Sequence, residues 1–180
     1  MKRYEKIYRT IFLGSLIFWV CSCASKPVIT IPPDYAYGEG AIRLHLKSDP
    51  YLNTYERNPH TLVLCLYQLR DPNAFNQLLE EKEGLSKLLE CSRFDPSVTH
   101  SKRWIIHPER DVTEMVDRFE GTKYLGIVAG YYFLRRENAV RFFKIPVSEE
   151  EKGKTITMRV EKINLDLYLG PQQIQEIRGK

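Results

Sequence analysis

Thr61-Leu62-Val63-Leu64-Cys65-Leu66-Tyr67-Gln68-Leu69-Arg70-Asp71-Pro72 is the stretch on which the fold turns. Its middle is almost continuously apolar, the pattern of a strand covered on both faces rather than one lying on the surface. At Asp71-Pro72 the period changes. Asp71 suits a helix N-cap and Pro72 a first turn, and Phe75, Leu78 and Leu79 follow at helical spacing. Gly84 reads as the stop of that helix, and Leu85, Leu88 and Leu89 repeat the spacing in a second short one. The two stripes are expected to pack on each other and on the edge of the sheet.

Upstream, Ile42, Leu44 and Leu46 alternate with Arg43, His45 and Lys47, which marks a half-buried strand with a solvated His45. Downstream, Val98 to His107 reads as a strand. Asp111 to Phe119 fits either a helix or a strand. Tyr124 to Phe133 reads as a central strand in which Gly126, Ala129 and Gly130 let neighbours approach closely. Arg135-Arg136-Glu137-Asn138 is a turn, and Val140 to Val147 returns as a hairpin partner. The alternation Ile156, Met158, Val160 changes phase to Ile163, Leu165, Leu167, Leu169, so a turn or bulge belongs at Glu161-Lys162. Short strands, turn signals and one helical insertion at 72–90 indicate a mainly β protein, a β-sandwich over residues 41–169. Residues 170–180 read as a polar tail.

The N-terminus sets the compartment. A basic run with Lys2, Arg3, Lys6 and Arg9 precedes an uncharged apolar block, Ile11 to Val20, and then small residues, the layout of a secretory signal. As a helix that block would rise only ~15 Å, half of the ~30 Å bilayer core. Val20-Cys21-Ser22-Cys23 resembles the bacterial lipobox, with Cys23 as the acylated residue; Cys21 fits worse because bulky Phe18 and Trp19 precede it. The other readings are an ordinary secretory cut or an uncleaved anchor. On the lipobox reading, residues 1–22 are a cleaved lipoprotein signal peptide and residues 23–40, with Pro27, Pro32 and Pro33, a lipidated tether. Ala24 stands where retention in the inner membrane usually requires Asp, which points to the outer membrane.

Charge and chemistry narrow the function. Residues 1–22 hold four bases and one acid, three of the four net positive charges, so the remainder carries only +1. That excludes the basic stripe a nucleic-acid binder needs. Cys65 and Cys91 remain after processing; an oxidising compartment permits a disulfide, and an apolar strand equally suits a packed thiol, the reading favoured here. His45, His60, His100 and His107 form no metal-ligand spacing, and neither a nucleophile elbow nor a phosphate-binding glycine loop is present. Glu80, Glu81, Glu83 and Glu149 to Glu151 come in runs, as solvated faces do. The expectation is a non-enzyme with no metal, no cofactor beyond the lipid on Cys23, and no small-molecule substrate.

One long connection stands out, Ser48 to His60. Long ordered loops between fixed strands tend to carry function. Tyr51, Leu52, Asn53, Thr54, Tyr55, Glu56 and Arg57 are the expected partner-binding residues, tyrosine and arginine being enriched at interface hot spots. The competing reading tucks Leu52 into the end of the sandwich and leaves the tyrosines as a rim. Tyr51 and Tyr55 could also stack on a sugar ring, which makes a glycan- or peptidoglycan-binding lipoprotein the alternative function.

Taken in order, these features resemble the outer-membrane lipoprotein of the type VI secretion system, the TssJ/VasD family. The resemblance rests on the lipobox, Leu52-Asn53 in a polar loop, Leu66-Tyr67-Gln68-Leu69-Arg70-Asp71 with Ala74-Phe75, and Tyr124-Leu125-Gly126-Ile127-Val128-Ala129 leading to Phe133 and an arginine-rich turn. Two departures are visible. The family usually has Pro-Gly where this chain has His107-Pro108-Glu109-Arg110, and a tryptophan where Val140 precedes Arg141. The resemblance implies a transthyretin-like β-sandwich with a helical protrusion, and a strand over 111–119. It also implies a lipid anchor in the outer membrane, a domain facing the periplasm, and docking of a TssM-family inner-membrane protein through the loop between the first two strands.

Overall fold

The strand at the centre of the fold is β3 (Leu62–Leu69), the stretch quoted above. The computed structural model describes residues 29–179, so the signal segment and Cys23 lie outside the described residues. β3 pairs antiparallel with β4 (Val98–Ile106) on one side and β6 (Tyr124–Ala129) on the other, and β7 (Val140–Lys144) completes a four-stranded sheet in the order β4-β3-β6-β7. The facing sheet runs β11-β10-β2-β5, from β11 (Ile174–Gly179), β10 (Ile163–Leu169), β2 (Gly38–Ser48) and β5 (Asp111–Arg118). The two four-stranded sheets make the expected sandwich, and 111–118 is a strand. β2 and β10 pair in parallel, the rest of their sheet antiparallel.

Alternation then assigns every side chain. Leu62, Leu64 and Leu66 of β3 point into the sandwich, where they join Ile42, Leu44 and Leu46 of β2 and Leu165 and Leu167 of β10. Cys65, Tyr67 and Leu69 point the other way and are no more exposed, because the helical insertion covers them. Each such Leu contributes ~1.5–3 kcal/mol by leaving water. Covering on both faces is why this strand has no polar alternate.

The insertion comprises α1 (Asn73–Glu80) and α2 (Gly84–Leu88). It lies on the face of the β4-β3-β6-β7 sheet, not on its edge: Phe75, Leu78 and Leu88 are buried against Cys65, Tyr67, Leu69 and Val128. Gly126 of β6 provides the seat, since a Cβ there would stand 2.7 Å from the Phe75 ring. The Tyr67 hydroxyl donates to the Leu88 carbonyl, and Cys65 is disulfide-bonded to Cys91, with Cα atoms 5.3 Å apart. The favoured packed thiol is thus overturned: the turn after α2 brings Cys91, in a left-handed conformation, directly over the strand. Two further details differ from expectation. Pro72 occupies the N-cap position, while Asp71 accepts from the Asn73 N–H one residue earlier than a helix cap would. Gly84 does not stop α1 but opens α2, where a Cβ would fall 1.5 Å from the Leu78 carbonyl oxygen.

Gln68, the last inward residue of β3, is fully buried and locks one end of the sandwich. Its amide donates to the Asp117 carbonyl at 2.8 Å, and its carbonyl accepts from the Phe119 N–H at 2.9 Å and the Thr122 hydroxyl at 3.1 Å. Buried polar groups satisfied this fully specify one packing. The Tyr67-Gln68-Leu69 motif is therefore structural, with Tyr67 and Leu69 packed under the insertion and Gln68 locking the sandwich end.

Both domain boundaries move outward. Ile29–Ile31 form β1, parallel to β9 (Thr155–Val160), and with β8 (Val147–Lys152) make a separate three-stranded sheet β1-β9-β8. Two pieces of the expected tether, Ile29–Ile31 and Gly38 to Gly40, are thus in strands. The C-terminal residues expected as a polar tail form β11, which covers the free side of β10, and Ile174 is buried. The phase change at Glu161-Lys162 is real: there the chain leaves the small sheet for the sandwich.

Candidate functional site

Register gathers four connections at one end of the sandwich. Ser48 ends β2 beside Leu169 of β10, Lys47 pairs with Asp111, Leu62 with Ile106, and Leu64 with Ala129. The loop 49–61, the turn 107–110, the loop 130–135 and the turn 170–173 therefore share that pole.

The loop 49–61 is shaped from within. Leu52 is fully buried in the sandwich core and Asn53 nearly so. These two leave the set of contact residues, because a side chain closed off from water offers no area to a partner. Their role is to hold the loop. The Asn53 amide donates to the Thr61 carbonyl at 2.9 Å, and its carbonyl accepts from the Tyr132 N–H at 2.7 Å, which fastens the loop 49–61 to the loop 130–135. Asp49 caps the first turn through the Tyr51 N–H at 2.7 Å, and the Thr54 N–H donates to the Pro171 carbonyl at 2.8 Å.

Beyond Asn53 the backbone forms a minute hairpin. Tyr55 and Asn58 exchange both backbone hydrogen bonds, at 3.0 and 2.9 Å. The two residues between them, Glu56 and Arg57, have φ of 48° and 68°. A two-residue turn with both φ positive ordinarily takes Asn-Gly, since a left-handed L-residue costs ~1–2 kcal/mol. Here it carries two opposite charges, both exposed. Strain retained at an exposed tip that displays charged side chains is the kind of outlier that points to function.

Around the hairpin lies an aromatic cluster that the two loops build jointly. Tyr55 stacks on Tyr132 with ring centroids 3.7 Å apart, and His60 and Phe133 sit 6.4 and 6.5 Å from Tyr55. The Tyr132 hydroxyl beside it holds the Tyr55 phenol above its ordinary pKa. Tyr51, Tyr132 and Phe133 are 62%, 55% and 51% exposed, an unusual grouping of large side chains in water at one pole. The arrangement offers flat, rigid, amphipathic area rimmed by Glu56 and Arg57. It presents no nucleophile–base pair.

Tyr132 and Phe133 were not legible as site residues, because the central strand read as running to Phe133. It ends at Ala129: Gly130 and Tyr131 turn the chain, Tyr131 goes into the core, and the next two aromatics go out. The available signal was Tyr131-Tyr132-Phe133 itself, three consecutive aromatics directly before the arginine-rich turn.

The other singled-out residues lie elsewhere. His45 sits on the solvent side of β2 between Asp111 at 2.8 Å and Asp166 at 3.2 Å. His100 stacks on Phe119, and burial lowers its pKa. Of the arginines, Arg136 pairs with Glu80, while Arg141 is drawn inward and donates to the Ile174 carbonyl at 2.6 Å, joining β7 to β11. Among the described residues, no group of three or more His, Cys, Asp or Glu side chains could hold a metal ion, and no helix is long and apolar enough to cross a membrane.

Comparison with known proteins agrees with this architecture. The sequence matches the family described as type VI secretion lipoprotein, VasD, EvfM, TssJ, over residues 40–167. The fold is similar to the T6SS lipoprotein TssJ1 from Pseudomonas aeruginosa, with TM-score 0.57 and 22% identity over 83% of this chain and 98% of that one. It is also similar to Serratia marcescens Lip, a membrane-bound component of the type VI secretion system, with TM-score 0.54 and 14% identity over 77% and 96%. A chain in a structure described as the T6SS protein TssM C-terminal domain from EAEC matches at TM-score 0.54 and 12% identity, over 74% and 94%. No curated protein matches the sequence. The match over residues 40–167 spans the sandwich strands from β2 to β10 and the helical insertion, and the chain belongs to the type VI secretion lipoprotein family.

Proposed function

We propose that this lipoprotein is a docking component of a type VI secretion membrane complex. Lipid on Cys23 holds it in the outer membrane with its domain in the periplasm, and it binds the periplasmic part of a TssM-family inner-membrane protein without catalysing a reaction. The binding surface is the joint patch of Tyr51, Thr54, Tyr55, Glu56 and Arg57 with Tyr132 and Phe133.

The observation that carries this reading is the strained Tyr55–Asn58 hairpin, which projects Glu56 and Arg57 beside exposed aromatic area. Tyrosine and arginine supply rigid contact and a bidentate fork for a partner carboxylate. Leu52 and Asn53 preorganise the loop, which lowers the ordering cost of binding.

The test replaces Tyr51, Tyr55 and Arg57 together with Ala, leaving Leu52 and Asn53 in place. Binding to the purified periplasmic region of the cognate TssM-type protein should weaken at least tenfold, ~1.4 kcal/mol, with thermal stability nearly unchanged. Unaltered affinity in the folded variant overturns the docking site. Capture of glycan strands in place of the membrane protein transfers the patch to sugar binding. Separately, Cys23→Ser should abolish acylation and membrane fractionation, and persistent palmitate labelling would refute the anchor.

A further inference from the structure

The proposed docking surface and the folded N-terminal strand lie at opposite poles, and register establishes this. β8 follows Ile145, whose N–H donates to the Lys123 carbonyl where β6 begins, and β10 starts at Ile163 opposite Ile42, near the start of β2. The hairpin β8–β9 thus leaves and re-enters the sandwich at the Gln68 end, away from the loop 49–61. No residue from Pro146 to Lys162 is buried and all of β1 is exposed, so the small sheet stands out from the core, against which Val160 packs at the base of β9. Strand β3, with eight residues at ~3.3 Å each, separates the two poles by roughly 25 Å.

β1 brings the N-terminus to the far tip of that hairpin. Ile29 pairs with Thr155, and its N–H donates to the Lys154 carbonyl at 3.0 Å. From Cys23 to Ile29 the chain has six residue steps, which span at most ~20 Å at ~3.4 Å per residue. Whatever holds Cys23 therefore lies within that distance of the tip. The tip carries Lys152 and Lys154 on either side of Gly153, and Ile29 and Ile31 on the outer strand are 61% and 46% exposed. The acidic run Glu149 to Glu151 is on β8, across β9 from β1, and Glu150 is already paired with Lys152 and Arg159.

We propose that the β1-β9-β8 sheet is a foot that rests on the lipid surface. Ile29 and Ile31 meet the interfacial region, Lys154 meets phospholipid phosphates, and the docking loops point away from the membrane. The inference rests on acylation of Cys23. Its chemistry is that of a lipidated domain with a second, weaker contact of apolar and basic groups beside the anchor. It also makes β1 part of the folded domain rather than slack in a tether, so the reach of the docking surface is set by the protein.

The experiment uses the full lipidated protein in vesicles of phosphatidylethanolamine and phosphatidylglycerol that carry a headgroup-attached spin-label quencher. With Cys65 and Cys91 bonded and Cys23 acylated, Lys152→Cys, which leaves Lys154 in place, or Tyr51→Cys supplies one reactive thiol for a fluorophore. Both positions are exposed, and thermal melts confirm that each variant folds. The Lys152→Cys label should lose about half its emission or more, while the Tyr51→Cys label, a strand length of ~25 Å or more away, keeps it. Protein that floats with vesicles while both labels stay bright, or dim equally, overturns the foot and leaves the anchor standing. Protein that does not float overturns both.

Discussion

Residues 49–61 lead the chain into β3 and residues 70–97 carry it away, and both stretches are rich in large apolar and aromatic side chains. The second spends them inward: Phe75, Leu78 and Leu88 recur at helical spacing, land on one face of a sheet and are covered. The first turns most of its own outward, because three left-handed residues, Asn53, Glu56 and Arg57, break any period and leave Leu52 as its one buried leucine. The lesson is that the spacing of apolar residues, more than their number, decides whether they become core or surface. A further contrast follows. The insertion is stapled by a covalent bond and a buried tyrosine, whereas the loop is held by the buried Leu52 and by hydrogen bonds through Asn53, Asp49 and the Thr54 N–H.

The sharpest way to break this comparison is Phe75→Ala. It should cost ~3–5 kcal/mol, as truncation of a buried aromatic does, and lower Tm strongly while the folded fraction keeps its partner affinity. Lost affinity with unmoved Tm would make the insertion an interface. Next in size is the disulfide. Closing a separation of 26 residues corresponds to roughly 3.5 kcal/mol of denatured-state entropy. Cys65→Ala with Cys91→Ala should lower the unfolding free energy from denaturant titration by an amount near that, whereas a change within error would mean that packing alone holds the insertion.

Asn53→Ala probes the loop side. It orphans the Tyr132 N–H and the Thr61 carbonyl, for a loss of ~1–3 kcal/mol, and should raise hydrogen exchange in 130–135 together with 49–61. Exchange rising in only one loop would mean that the two do not act as a unit. The smallest effect is expected at the same pole in the turn 107–110, where Glu109 has a φ of 56°. The family's Pro-Gly belongs at this place, and Glu109→Gly should stabilise by ~0.5–1 kcal/mol, the left-handed penalty less the entropy of glycine. Destabilisation would show that the Glu109 side chain makes a compensating contact.

Most of the strands were legible, and for a common reason. Ile42, Leu44, Leu46 and Ile163, Leu165, Leu167, Leu169 alternate because one face meets the core, and Leu62 to Leu69 does not alternate because both faces do. The insertion was legible as two helical stripes. What escaped were features that depend on a distant neighbour. β11 has little apolar content of its own and becomes a strand because β10 offers an open edge. β1 is three residues between a signal segment and two prolines, and it is ordered by β9, some 125 positions away. Tyr132 and Phe133 joined the site only because Asn53 reaches across to their backbone.

The sequence by itself thus determined the β-rich class, the central strand, the helical insertion and the lipobox-like N-terminal segment, all written in local order: periods of two and 3.6 residues, turn residues, and a basic-apolar-small run. Tertiary structure alone decided that Cys65 meets Cys91, that Leu52 goes in while Tyr51 stays out, and that the loops 49–61 and 130–135 lie at the pole opposite β1. Those outcomes are pairings between segments far apart in the chain. A residue's spacing to its neighbours reports which face it shares with them, and carries no record of what that face will meet.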